Sequence, residues 1–207
     1  MRVLYLHGFV SSPAAGKATY LAERFAQDGM DFRVPDLNAP EFASSTAATM
    51  IHQTQIDMAG ADSVALIGSS MGGFIALRVA AMNPSVKKLI LLAPAFEMGT
   101  RMEREMGQAA DLWKQRGSFP FFHYATQRDE PLHYEFLQSL KDEEQKPLAS
   151  RLPVLILHGV RDTVVPWELS FRYLSANPQA ELVLLDSDHQ LTDKKDVLYR
   201  HIKSFLV

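Results

Sequence analysis

The 207-residue chain has no cysteine. Disulfides, thiolate metal sites and a cysteine nucleophile are therefore excluded, and covalent chemistry is left to Ser, Thr, Lys, Asp or Glu. An excess of charge of one sign is also missing: 21 Lys and Arg oppose 24 Asp and Glu, for a formal net charge of −3. Nucleic acid and anionic membranes both demand clustered basic charge, so neither is an expected partner. Long apolar runs are absent as well. The N-terminal run Val3–Leu6 stops at His7, short of the ~7–15 residues of a secretory h-region or the ~20 of a membrane span. The expected location is the cytoplasm. No repeat, low-complexity tract or Gly/Ser linker interrupts the chain, so residues 1–207 are expected to form one domain.

With 47% hydrophobic and 22% charged residues, the composition is that of a globular protein able to bury a substantial core. Short apolar runs alternate with amphipathic segments, the pattern of parallel strands joined by crossover helices. The runs predict strands at Val3–Leu6, Phe32–Pro35, Ser63–Gly68, Lys88–Leu92, Val154–His158 and Glu181–Leu185. Helices are expected at Pro13–Gln27, Ser44–Ala59, Met71–Met82, Pro166–Ala176 and Lys194–Phe205. The fold class is α/β, a doubly wound, mostly or wholly parallel six-stranded sheet. Residues 97–150 break the rhythm and read as a small cap insertion. Met98, Met102 and Met106 share one helical face there, seven of the 20 aromatic residues gather between Trp113 and Phe136, and Phe121–Ala125 with His133–Phe136 suggests a hairpin.

After the third strand comes Gly68-Ser69-Ser70-Met71-Gly72-Gly73, a G-x-S-x-G between strand and helix. This motif sets a serine on a sharp turn where only tiny neighbours let the two backbones approach, so that its hydroxyl projects clear of the sheet. A serine nucleophile needs a base, and the base needs an orienting carboxylate. Asp162 follows the strand ending at His158, and Asp186-Ser187-Asp188-His189 follows the last strand. Ser70, Asp162 and His189 all lie beyond carboxyl ends of strands, where open α/β sheets place their function. Glu97, Asp186 and Asp188 compete with Asp162 for the role of the acid. The first strand delivers His7-Gly8-Phe9 to the same edge, so the backbone N–H groups of Phe9 and Met71 are candidates for an oxyanion hole.

Taken together, HGF, GSSMGG, HGVRDTVVP and DSDH resemble the α/β-hydrolase superfamily of serine esterases over nearly the whole chain. His7-Gly8-Phe9 with Ser11-Ser12-Pro13 looks like the small bacterial YqiA-like esterases. The resemblance implies Ser70 as nucleophile, His189 as general base and acid, and Asp162 as the orienter of His189. The chain begins at the strand that carries HGF, so the two N-terminal strands common in the superfamily are expected to be missing, and the implied spatial order is 2-1-3-4-5-6.

His7, Phe96 and Trp113 are candidates for contact with substrate, while His158 reads as a partner of neighbouring loops. His52, His123, His133 and His201 lack ligand spacing, and no metal or cofactor is expected. Gly16-Lys17 follows the first strand, but Ser11 stands where a phosphate loop needs its first glycine and Ala18 where it needs a hydroxyl. The expected function is carboxylic ester hydrolysis through an acyl-serine intermediate, on a small-molecule ester with a short acyl group. Thioesterase or amidase activity on the same triad, or a cofactor-free lyase or ligand-binding protein, are the alternatives.

Overall fold

The computed structural model describes residues 1–148 and 152–207. Six strands form one parallel sheet: β1 (Arg2–Leu6), β2 (Phe32–Arg33), β3 (Val64–Ser69), β4 (Val86–Leu92), β7 (Val154–Gly159) and β8 (Ala180–Leu185). They run in the order β2-β1-β3-β4-β7-β8. Renumbered within the sheet, that is the expected 2-1-3-4-5-6. The second strand is shorter than predicted and ends before Pro35, which has no N–H to donate to a ladder.

Side-chain alternation along the strands builds a layer on each face. Val3, Tyr5, Ile67, Ile90, Leu155 and Leu157 pack with α1 (Gly16–Gln27) and α8 (Lys195–Leu206), through residues such as Phe25 and Ile202. Their neighbours Leu4, Leu6, Leu66, Leu89, Leu91 and Ile156 pack with α2 (Ala47–Met58), α3 (Met71–Met82) and α7 (Glu168–Ala176). With both faces covered, β3 and β7 are buried along their whole length, which is why they read as continuous apolar runs.

Helix α1 starts three residues later than its proline suggested. Ser12 to Ala15 instead form a turn, in which the Ala15 N–H donates to the Ser12 carbonyl at 3.1 Å. Between β4 and β7 the chain forms α4 (Met98–Met106), α5 (Gln108–Arg116), the antiparallel pair β5 (Ser118–His123) and β6 (Arg128–His133), and α6 (Glu135–Glu144). The hairpin is out of step with its prediction, because the turn at Tyr124–Gln127 carries Gln127 at φ 56° and closes on His123. Tyr134 and Phe136 then belong to the start of α6 instead of a strand. Among the described residues no helix is long and apolar enough to cross a membrane.

Candidate active site

Ser70 links β3 to α3 with φ 53° and ψ −117°, a left-handed conformation that costs a non-glycine residue about 1–3 kcal/mol. Surrounding bonds impose it. Its N–H donates to the Leu92 carbonyl at 2.9 Å, and its carbonyl accepts from Gly73 at 2.9 Å and Ala95 at 3.0 Å. The glycines of the motif are needed for space: a methyl group on Gly72 would strike the Leu6 carbonyl, and one on Gly68 would strike Gly72.

The loop after β8 brings His189 to this turn from 119 residues away. The Ser70 hydroxyl donates to His189 Nε2 at 3.0 Å, and His189 Nδ1–H donates to Asp162 Oδ2 at 2.7 Å. Asp162 has a fully buried side chain. Its Oδ1 accepts the N–H groups of Val164 and Val165, each at 2.8 Å, and its Oδ2 also accepts from His158 Nε2–H at 3.0 Å. Burial works to raise the Asp162 pKa. The hydrogen bonds from His158, His189 and the Val165 amide, with the His189 charge, outweigh it and hold the carboxyl well below the ordinary carboxylate range.

His158 is fully buried. Its Nε2 faces two acceptors, Asp162 Oδ2 and the Val165 carbonyl at 3.0 Å, so that nitrogen carries the proton, and Nδ1 accepts from the Ser170 hydroxyl at 2.7 Å. Val165 is the loop partner the sequence suggested. The bond to Asp162 was not legible, because it depends on the loop after β7 folding back over its own strand.

Gly8 passes close to Ser70, with a hypothetical methyl group at ordinary contact distance from Ser70 Cβ. The N–H groups of Phe9 and Met71 have no hydrogen-bond partner among the described residues, as donors kept for a ligand would be.

Two cavities meet at Ser70, and Phe9 and Val164 also border both. One, of about 230 Å³, is apolar and runs under α4 between Met98, Met102, Met106 and Phe121. The methionine face read from the sequence is thus its wall. The other, of about 550 Å³, is lined by His189, Gln190, Thr192, Ser11 and Lys17 among others.

The remaining candidates lie elsewhere. His7 is buried, donates from Nδ1 to the Gly8 carbonyl at 2.9 Å and accepts the Leu37 N–H at Nε2 at 3.0 Å; it braces the first loop. Phe96 stacks on Tyr173 at 5.0 Å and borders a separate cavity that includes neither Ser70 nor His189. Trp113 is fully buried, donates to the Leu132 carbonyl at 2.8 Å and borders neither cavity at Ser70. Of the rival acids, Glu97 meets Arg172 at 3.2 Å, Asp186 meets Arg161, and Asp188 accepts the N–H groups of Gln190 and Leu191. None of them bonds His189. Among the described residues no group of three or more His, Asp or Glu is arranged to hold a metal ion.

The model of the uncharacterised protein family UPF0227 matches residues 2–207. Over 143 residues the chain is 28% identical to palmitoyl-protein thioesterase ABHD10, mitochondrial, of Pongo abelii, a match covering 64% of this chain and 46% of that protein. The chain therefore spans about half the length of that relative. Among solved structures, alpha/beta hydrolase domain-containing protein 10 from mouse superposes with a TM-score of 0.79 at 22% identity, covering 99% of this chain and 88% of that chain. Est1E from Butyrivibrio proteoclasticus with ferulic acid bound superposes with a TM-score of 0.75 at 19% identity, covering 100% and 88%. The fold is that of the α/β hydrolases.

Proposed function

Starting from the uncharacterised protein family UPF0227, to which the chain belongs, we propose that this is a serine hydrolase that cleaves carboxylic esters through an acyl-serine intermediate. The observation that carries the reading is one imidazole bridging a strained serine at 3.0 Å and a buried carboxylate at 2.7 Å. As Ser70 Oγ attacks the ester carbonyl, its proton passes to His189 Nε2. Asp162, kept ionised by four hydrogen bonds, holds the imidazole tautomer and stabilises the imidazolium. The N–H groups of Phe9 and Met71 meet the oxyanion. His189 then gives its proton to the departing alcohol, and water, deprotonated by the same imidazole, releases the acid and restores Ser70.

The apolar cavity of about 230 Å³ is below the usual ~300–1,000 Å³ of small-molecule pockets, which favours a short acyl group. Residues 97–148 serve as its cap, and the last two residues of the expected 97–150 insertion lie outside the described residues. The second reading is a thioesterase, favoured by the similarity to palmitoyl-protein thioesterase ABHD10; the same steps apply with a thiol as leaving group.

A fluorophosphonate probe followed by peptide mass spectrometry tests the nucleophile, with labelling expected on Ser70 and lost in Ser70→Ala. Matched esters and thioesters of two to sixteen carbons, a length range set by the panel, then separate the two readings. His189→Ala should lower kcat by several orders of magnitude. Retention of most activity by that variant would sink the triad.

A further inference from the structure

The larger cavity at Ser70 holds a cation that the hydrolytic steps leave unused. Lys17 lines it with only 8% of its surface exposed. Its ammonium has no hydrogen-bond or ion-pair partner among the described residues. Burial pushes its pKa down to about 8, against the pull of the Asp188 and Asp162 charges. Neither carboxylate forms an ion pair with it. Asp162 is saturated by two amides and two imidazoles, and Asp188 gives its Oδ1 to the Gln190 and Leu191 amides. A lysine more than nine-tenths buried, whose ammonium has no hydrogen-bond or ion-pair partner among the described residues, is a costly arrangement that an arriving anion would relieve.

A second source of positive potential opens on the same space. The N-cap of α1 is Ala15, which has no side chain able to cap. The N–H groups of Gly16, Lys17 and Ala18 bond no other group among the described residues. A methyl group on Gly16 would meet nothing within 4 Å, so this helix end faces open space. Unused amides, the positive end of the helix and a buried ammonium together make a site for an anion.

Proton transfer decides which half of the substrate carries that anion. His189 lines this cavity and does not line the apolar one. The leaving group takes its proton from His189 Nε2, so it departs on the His189 side, with the acyl chain under α4. We propose that Lys17 and the N-terminus of α1 hold a carboxylate or phosphate on the leaving-group half of the substrate. The preferred substrate is then an ester or thioester of an anionic alcohol or thiol. This specificity rests on the hydrolytic reading of Ser70 and His189.

The test compares kcat/KM for 4-acetoxybenzoate with that for its neutral counterpart 4-acetoxybenzamide, in the wild type, Lys17→Met and Lys17→Gln. The ratio is expected to favour the carboxylate in the wild type and to fall about tenfold or more in both variants, with melting curves showing that each is folded. A fall of less than threefold in both variants overturns the proposal. Adding 4-acetoxyphenyl phosphate to the panel shows whether phosphate or carboxylate is the better fit. If no ester turns over and Ser70 stays unlabelled, the hydrolytic reading has failed, and calorimetric titration of the wild type still tests the site. Tighter binding of 4-hydroxybenzoate than of 4-hydroxybenzamide, abolished in Lys17→Met, would then uphold the anion site; equal binding would overturn it.

Discussion

Lys17 illustrates how a single side chain can serve binding at the expense of stability. Its pKa in the folded chain, about 8, lies below the ordinary 10.5, so the folded state binds the proton less readily than the unfolded one. Below pH 8 the charged form has to be buried and the full penalty applies. As pH rises from about 8 towards 10.5 the unfolded chain still holds the proton and the penalty is relieved. Lys17→Met is therefore expected to melt several degrees above the wild type at pH 7, with a gap that narrows by pH 10. Differential scanning calorimetry at the two pH values reads this directly, and a variant that melts lower at pH 7 would contradict it. His158 acts through another group. Its imidazole positions Asp162 while touching neither Ser70 nor a cavity that contains it. His158→Phe removes one donor from the carboxylate and leaves Ser170 without its acceptor. The expected result is a kcat lower by about tenfold, the order of ~1.4 kcal/mol for a hydrogen bond to a charged group, with KM nearly constant. The acid limb of the kcat/KM profile should also move to higher pH, because a carboxylate with one donor fewer holds the imidazolium more strongly. A uniform loss with an unmoved profile would mean that His158 only packs.

At the scale of elements, α4 is held by residues distant in the chain. Its N-cap, Glu97, sits at φ 55° and makes no side-chain cap. Glu144, from the end of α6, takes over: its carboxylate accepts the N–H groups of Gly99 and Thr100 and, at 2.6 Å, the Thr100 hydroxyl. Gly99 lets the two helices approach, since a methyl group there would lie 2.8 Å from the Lys141 nitrogen. At the other end of the link, the buried Arg101 donates to the Val164 carbonyl at 2.5 Å, tying α4 to the loop that carries Asp162. Glu144→Ala should cost about 1–2 kcal/mol, the usual value of a lost helix cap. It should raise KM for esters more than it lowers kcat, because Met98, Met102 and Met106 wall the apolar cavity. Steady-state kinetics on a short ester separate the two parameters, and a change confined to kcat would point away from α4 as an acyl wall. The methionine face of this helix was legible from spacing alone, whereas its cap, supplied by a residue 44 positions away, was not. Strand β6 escaped for a related reason: Arg128, Asp129 and Glu130 look like a loop until the turn at Gln127 pairs them with Phe121–His123.

Across the whole molecule, the parallel sheet was the most legible feature, because β3 and β7 open on the apolar runs VALI and VLIL and β4 closes on LILL. The convergence of the candidate site was legible with it: the loops after β3, β7 and β8 deliver Ser70, Asp162 and His189 to one edge. What the sequence could not carry was depth. In the sequence Gly16-Lys17 is only a failed phosphate loop, and Lys17 proves to be buried beside a cavity it shares with Gln190 and Thr192 from the other end of the chain. The same holds for the segment between β4 and β7. Its aromatics suggested either a substrate pocket or simple packing, and Trp113, Phe136, Leu137 and Leu140 prove to be continuous with the core formed by α2, α3 and the sheet. Phe9 joins the two, with ring centroids 5.2 Å from both Phe121 and Phe136. A segment that shares its core with the sheet should not melt separately from it. Phe136 is fully buried, so Phe136→Ala is expected to cost about 3–5 kcal/mol, lowering the melting temperature by roughly 6–20 °C for a chain of this size at ~2–4 °C per kcal/mol. The prediction is one calorimetric transition in both the wild type and the variant, shifted as a whole. Because the Phe9 ring loses its stacking partner, the loop that offers the Phe9 N–H should also loosen and kcat should fall below the melting range. Two resolved transitions in either protein would show instead that the segment over the apolar cavity folds as a unit of its own, and would make it free to open without the sheet.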